Sequence, residues 1–377
     1  RWRAGQRGAV HRLPSGFVVV TGYNATVEVL HSPDTCTGPI ASLYRDRLPP
    51  GAANDEMAHR LNFLDPPDHP RVRRVVAKAF TNRRVQTIRP WIASSAAALV
   101  DQLRGRERFD MLKDFAHELP SLVISELLGV PPVDRDRLTG LSNAVEPLLS
   151  ATPDPAAVDA AVAAAEEMHA YLSDLIEVRR RSPGDDLLSA LALAEDDGDR
   201  LSHPELLSLA ATLYSAGHRT TRDSFANGLA RLLSDSGEQY RFVVDGSWSV
   251  PATVRELLRL DTPTLYVARI AARDITIAGT DVAAGEPILV FLAAANRDPS
   301  VFERCDEVEL DRPPVATMTF AHGAHYCLGA SLATAEVEVM LDTTAARWPR
   351  LRLSEPPRWH QRGPFRGVDH LRVESGA

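Results

Sequence analysis

The sequence predicts a mainly α-helical protein with a minor β region, built as one domain over residues 1–377. Three observations predict it. From Pro66 to about Leu233 apolar residues recur at helical spacing, broken only where prolines and glycines cluster. Period-two patterns are confined to short runs near the two ends and around residues 274–292. No internal repeat and no loose linker divides the 377 residues, although length alone would suit two domains.

In chain order, Phe17-Val18-Val19-Val20 reads as a strand, and Asn24 as the cap of a helix running to Leu30. Residues 33–60, rich in Pro, Gly and Asp, read as a long loop, which in a compact domain is usually functional. The helical stretch is punctuated at Pro131-Pro132, Pro153–Pro155 and Pro183-Gly184, with an Ala-rich helix over Ala156–Arg181. Strands follow at Asp274–Ile277 and Pro287–Phe291, then a helix over about Ser331–Arg347 and a strand near Leu351-Arg352-Leu353.

One helix is informative in detail. Ser202 and Glu205 form a capping box. Leu206, Leu207, Leu209, Ala210, Leu213 and Tyr214 then make the helix apolar nearly all round, so it should run through the core. Gly217 in its interior costs about 1 kcal/mol against Ala, so something must approach closely enough to exclude a Cβ. Ala216, Gly217 and Thr220 share a face, presenting a small apolar notch beside a hydroxyl.

Composition excludes several classes. The apolar share of 44% and charged share of 24% are those of a globular chain, and a net charge of -8 argues against general nucleic-acid binding. No window approaches the roughly 18 apolar residues of a membrane span, and Arg1-Trp2-Arg3-Ala4 lacks a signal-peptide pattern. A soluble, cytoplasmic, monomeric protein is expected, with a short leading segment missing because no Met opens the chain. Cys36, Cys305 and Cys327 lie far apart without a CxxC, which excludes a disulfide scaffold or a four-cysteine zinc site.

The most specific segment is Phe320-Ala321-His322-Gly323-Ala324-His325-Tyr326-Cys327-Leu328-Gly329. Two glycines bracket a cysteine just ahead of a helix, whose N-terminus favours thiolate over thiol. A heme iron held by such a thiolate gains electron density that favours O–O cleavage. The other readings are a buried structural cysteine, or a metal site of His322, His325 and Cys327.

The segment resembles the heme-binding signature of the cytochrome P450 family, matched at Phe320, Gly323, Cys327 and Gly329. The resemblance implies that Cys327 ligates the iron of heme b, that Phe320 packs near the sulfur, and that His325 reaches a propionate. Further matches follow in the family's order. Glu256-Leu257-Leu258-Arg259 resembles the Glu-x-x-Arg motif that braces the cysteine region, a surface ion pair being the plainer reading. Asp65–Arg74 resembles the segment opening a helix beside the heme, which assigns His69 and Arg73 to propionates, and Arg269 fits the other propionate arginine. Ala295-Asn296-Arg297-Asp298-Pro299 is typical of bacterial members. The implied fold is the single, triangular, mostly α domain of that family.

The central helix departs from the family pattern. Thr220 is retained, but Arg219 stands where an acid usually precedes it, and an arginine keeps its proton at neutral pH. Arg219 then either pairs with Asp223, binds a substrate carboxylate as in fatty-acid peroxygenases of the family, or marks a specialised oxidation such as coupling, nitration or dehydration. His218 is a possible substitute relay. Thr334 also replaces an arginine common in relatives, with no expected change in chemistry.

The resemblance implies a monooxygenase that activates O2 to oxidise a small organic molecule, as in natural-product tailoring. A non-catalytic partner protein is the remaining class. Because three scattered cysteines cannot hold an iron–sulfur cluster, electrons are expected from a separate ferredoxin and its reductase. Arg71, Arg74 and Lys78 form a basic stripe for docking the donor. Leu213, Thr264, Leu265 and Val267 are expected to line an apolar substrate pocket, with the 36–60 and 145–170 segments.

Overall fold

A computed structural model describes residues 8–149, 154–196, 198–313 and 315–376. The opening Arg1–Ala4 and Pro153 of the second predicted break lie outside the described residues. Helices dominate and short strands form a smaller part. Two compact units are distinguished, each assembled from stretches distant in sequence.

The first unit takes the residues up to Thr35, Val85–Pro120, and Arg219 onward. Its main sheet is stitched from both chain ends. Val18–Val20 pairs antiparallel with Val10–Arg12 and parallel with Pro287–Val290, in the register Ile288↔Val18, and Pro287–Val290 pairs antiparallel with Val267–Ala271. β-Branched residues explain the strand choice. Val18, Val20, Ile288 and Val290 pack with Ala25 and Val29 of the helix Tyr23–His31, and with Met318 and Ala321 at the foot of the cysteine loop. The predicted strands and the helix Ala330–Arg347 are present within a residue or two. The helix Tyr23–His31 is not capped by Asn24. It begins after Gly22, and the Asp298 carboxylate, 275 residues away, accepts the Tyr23 N–H at 2.8 Å.

The second unit, Cys36–Arg84 and Ser121–His218, is helical. The predicted 33–60 loop is instead two helices, Gly38–Arg45 and Ala52–His59, after a short strand Thr35–Cys36. Their orphan N–H groups are capped by acids remote in sequence. Asp65 accepts from Thr37 N (2.9 Å) and Gly38 N (2.6 Å), and Glu166 from Ala52 N (2.8 Å). The second helix is fixed from below by a buried cluster in which Glu56 bonds Arg60 (2.6 Å) and His169 (3.0 Å). Against the desolvation of burial, those two partners hold the Glu56 carboxyl below its usual range.

Candidate active site around the Cys327 loop

The cysteine loop belongs to the first unit and is shaped by backbone restraint. Met318–Phe320 and Gly323–His325 are single 3-10 turns, and Ala321 and Gly323 take φ of 56° and 72°. Cys327 N–H donates to Phe320 O at 3.0 Å, closing the loop on itself. A Cβ at Gly323 would meet Leu30 O at 2.1 Å, so the loop backbone lies directly on the helix Tyr23–His31. Only glycine tolerates both that approach and the positive φ. The rings of Phe320 and Tyr326 meet edge-on, and partial burial, with Cys327 alongside, raises the Tyr326 phenol above its ordinary value. Cys327 itself is exposed. Gly329 opens the helix Ala330–Arg347 with no side-chain cap, and the Ala330 N–H turns back to Cys327 O at 3.4 Å, so the partly positive N-terminus of the helix begins three residues after the cysteine. Thr334 donates to Ala330 O within that helix.

Beneath the loop lies the Glu256–Arg259 pair, which is not a surface pair. Arg259 is 0% and Glu256 2% exposed. The guanidinium donates to Glu256 at 2.9 and 2.8 Å, and to the carbonyls of Asn296, Cys305 and Glu307. Glu256 also accepts from Glu309 N (3.0 Å) and pairs with Arg312 (3.3 Å). With every polar atom of such a pair engaged, its burial is supportable. Asn296 carries the connection upward: its Oδ1 accepts Met318 N at 2.6 Å, and its Nδ2 donates to Thr319 Oγ1, which donates to Leu258 O. Sequence reading saw Asn296 only as part of a family run; its buried amide had no local signal.

The central helix runs His203–Leu232 and starts at the predicted capping box, Ser202 N–H donating to Glu205 at 2.8 Å. Burial would raise the Glu205 carboxyl, but Arg71 and Ser202 outweigh it and hold it low. Of the expected docking stripe, Arg71 bonds Glu205 and Asp68, whereas Arg74, 3.9 Å from Asp199, and Lys78, which donates to Glu195 O, remain exposed. The close approach expected at Gly217 is made by Ile124, which a Cβ there would meet at 3.0 Å. His218 is packed, its ring bonding Asn143 Oδ1 and Tyr214 O. Arg219 is 9% exposed, with Nε 3.7 Å from Asp223 and its guanidinium 4.9 Å over the Phe365 ring, which is the pairing of the first account given for it. Within this largely buried helix Ala216 is exposed and Leu213, Gly217 and Thr220 are half-exposed, an open stripe at mid-length.

The other candidates are placed as follows. On the helix Asp68–Ala79 His69 is buried and Arg73 half-buried, while Arg74 and Lys78 face out. Arg269 is buried on the strand Val267–Ala271, donating to Ala268 O. His325, Thr264, Leu265 and Val267 are half-buried. The 263–265 segment is bound to the hairpin Trp359–Arg362/Phe365–Val368 through Leu265 N to Pro364 O and Arg366 N to Pro263 O.

The model of the family described as Cytochrome P450 matches residues 9–241 and 250–348. The chain belongs to the cytochrome P450 family. Mycinamicin IV hydroxylase/epoxidase of Micromonospora griseorubida is 39% identical over 362 residues, 94% of this chain and 88% of that protein. Nocardicin C N-oxygenase of Nocardia uniformis subsp. tsuyamanensis is 39% identical over 317 residues, 82% and 78% of the two chains. The crystal structure of P450BioI in complex with an acyl carrier protein carrying hexadec-9Z-enoic acid superposes with a TM-score of 0.88 at 30% identity, covering 97% and 94%. This P450 is therefore an oxidoreductase of the monooxygenase kind, with a heme-thiolate cofactor. P450s of this bacterial type draw electrons from redox partners and oxidise small molecules. Among the described residues no helix is long and apolar enough to cross a membrane.

The residues present fit such a cofactor. An exposed cysteine on a pinned loop and a buried arginine, Arg269, both in the first unit, are what a ring bearing carboxylates and a metal requires.

Proposed function

We propose that this P450 hydroxylates, or otherwise inserts oxygen into, a small apolar natural product, using heme b ligated by Cys327 and electrons from a separate ferredoxin and its reductase. The observation that carries the reading is the Cys327 loop itself: a glycine-bracketed, exposed cysteine ahead of an uncapped helix N-terminus, in a chain of this family. The relatives' names, hydroxylase/epoxidase and N-oxygenase, support oxygen insertion into small molecules. When bound, a thiolate-ligated heme supplies reductive activation of dioxygen. The chain's own groups divide the remaining work. Cys327 supplies the anionic sulfur; His69, Arg73, Arg269 and His325 neutralise propionates; Phe320 and Gly329 shield the sulfur. Thr220 Oγ1 holds a proton for delivery, and Leu213, Ala216, Leu265 and Val267 orient substrate and exclude water. Glu256 and Arg259 hold the loop in place. The engagement of Arg219 with Asp223 and Phe365 gives no support to a peroxygenase that anchors a substrate carboxylate there.

The test is spectral. The reduced holoprotein should show the carbon monoxide difference spectrum of a thiolate-ligated heme, and Cys327→Ala should abolish it. A wild-type protein without that spectrum refutes the assignment. Turnover on a library hit with ferredoxin, reductase and NAD(P)H should exceed turnover with peroxide; the reverse order would restore the peroxygenase reading.

A further inference from the structure

The central helix carries polar residues at every fourth position through the first unit: Arg219, Asp223, Asn227 and Arg231. Each meets the C-terminal hairpin or the segment beside it. The Arg219 guanidinium lies over the Phe365 ring, 4.9 Å from its centroid, with Nε 3.7 Å from Asp223 Oδ2, while Asp223 Oδ1 accepts Arg222 Nε at 2.7 Å. Asp223 is 1% exposed and so close to the hairpin that a Cβ on Gly367 would stand 3.1 Å from its carboxyl carbon. Asn227 donates to Arg366 O at 3.1 Å, and Arg231 pairs with Asp261, which also receives Arg366 at 3.3 Å. The hairpin in turn binds the candidate substrate-lining segment, with Leu265 N donating to Pro364 O at 2.7 Å and Thr264 bridged to Phe365. An unbroken chain of contacts therefore leads from the residue beside Thr220 to Thr264 and Leu265.

A guanidinium keeps its proton at neutral pH, so it does not feed protons to Thr220. We propose that Arg219 is a positioning residue: set over the Phe365 ring beside Asp223, it fixes the 263–267 segment against the Thr220 turn of the helix and so sets how a substrate is presented. The proposal rests on the reading above that Thr264, Leu265 and Val267 border the substrate.

The experiment uses heme-loaded wild type, Arg219→Met, Arg219→Lys, Phe365→Leu and the Arg219→Met/Phe365→Leu double variant. Each is titrated by heme absorbance with imidazole, 4-phenylimidazole and laurate. Imidazole needs little space and reports an intact heme; the phenyl group of 4-phenylimidazole reaches the lining. Arg219→Met should weaken 4-phenylimidazole roughly fivefold, the scale of one cation–π contact, and leave imidazole within about twofold. Phe365→Leu should do the same, and the double variant should be no weaker than either single, because both remove one contact. Arg219→Lys, which keeps the charge but not the planar guanidinium, should follow Arg219→Met. Unchanged 4-phenylimidazole affinity in Arg219→Met, or single-variant effects that multiply, overturns the proposal. So does a laurate response lost in the Arg219 variants and kept in Phe365→Leu, which would make Arg219 a carboxylate anchor. Failure of the heme-thiolate reading appears separately, in the wild-type carbon monoxide spectrum.

Discussion

Glu336 stands on the helix that follows Cys327 and is 2% exposed, with no hydrogen-bond partner for its Oε2 among the described residues. Desolvation raises its carboxyl well above the ordinary glutamate value. The folded protein then binds a proton that the unfolded chain releases. Stability should therefore fall as pH rises from the ordinary value, about 4.3, toward the raised one, by up to about 1.4 kcal/mol per pH unit. Glu336→Met, which fills the space without a charge, should flatten this part of the profile and raise the neutral-pH melting temperature. Thermal melts from acid to neutral pH check it; equal slopes for the two proteins would show that Glu336 does not bind the linked proton. Nothing in the sequence marks this glutamate as buried, since a helical Glu flanked by Ala and Val fits a solvated face equally well. Arg219 is the opposite case. Its pairing with Asp223 is legible from i,i+4 spacing, whereas Phe365 lies 146 positions further along the chain and has no local signature.

Among the elements, strands and long helices were legible because their periodicity is local, and the capping box placed the start of the central helix. The two helices within 36–60 were not. Their composition is that of a loop, and their N-termini are satisfied from elsewhere, by Asp65 and Glu166. Asp65→Ala should accordingly cost about 1–2 kcal/mol and selectively speed amide exchange in Gly38–Arg45. Hydrogen-exchange mass spectrometry reads this directly; uniform acceleration across the unit, or none, would contradict the cap. The same logic explains Gly217, where sequence showed that a neighbour had to be close but not that the neighbour is Ile124.

At the scale of the whole molecule, the order of the motifs was legible and identified the family before any coordinates, because that chemistry demands specific residues at fixed spacings. What spacing does not reveal is depth. Glu256 and Arg259 satisfy the pattern of an exposed helix pair, yet they lie at the centre of a buried network reaching the 305–312 segment and, through Asn296, the foot of the cysteine loop. Arg259→Leu leaves Glu256 buried without its main partner and should cost roughly 3–5 kcal/mol. Denaturant unfolding of the apoprotein and the retained fraction of carbon monoxide signal measure it; a loss under about 1 kcal/mol would assign Arg259 a peripheral role. The pairing of Val18–Val20 with Pro287–Val290, and of Tyr23 with Asp298, also constrains how the protein is made. On the ribosome the first 35 residues emerge long before the partners that complete their sheet and cap their helix. They must wait, unassembled, until most of the polypeptide has been synthesised, so nascent fragments released before about residue 300 should be degraded rather than accumulate as folded pieces.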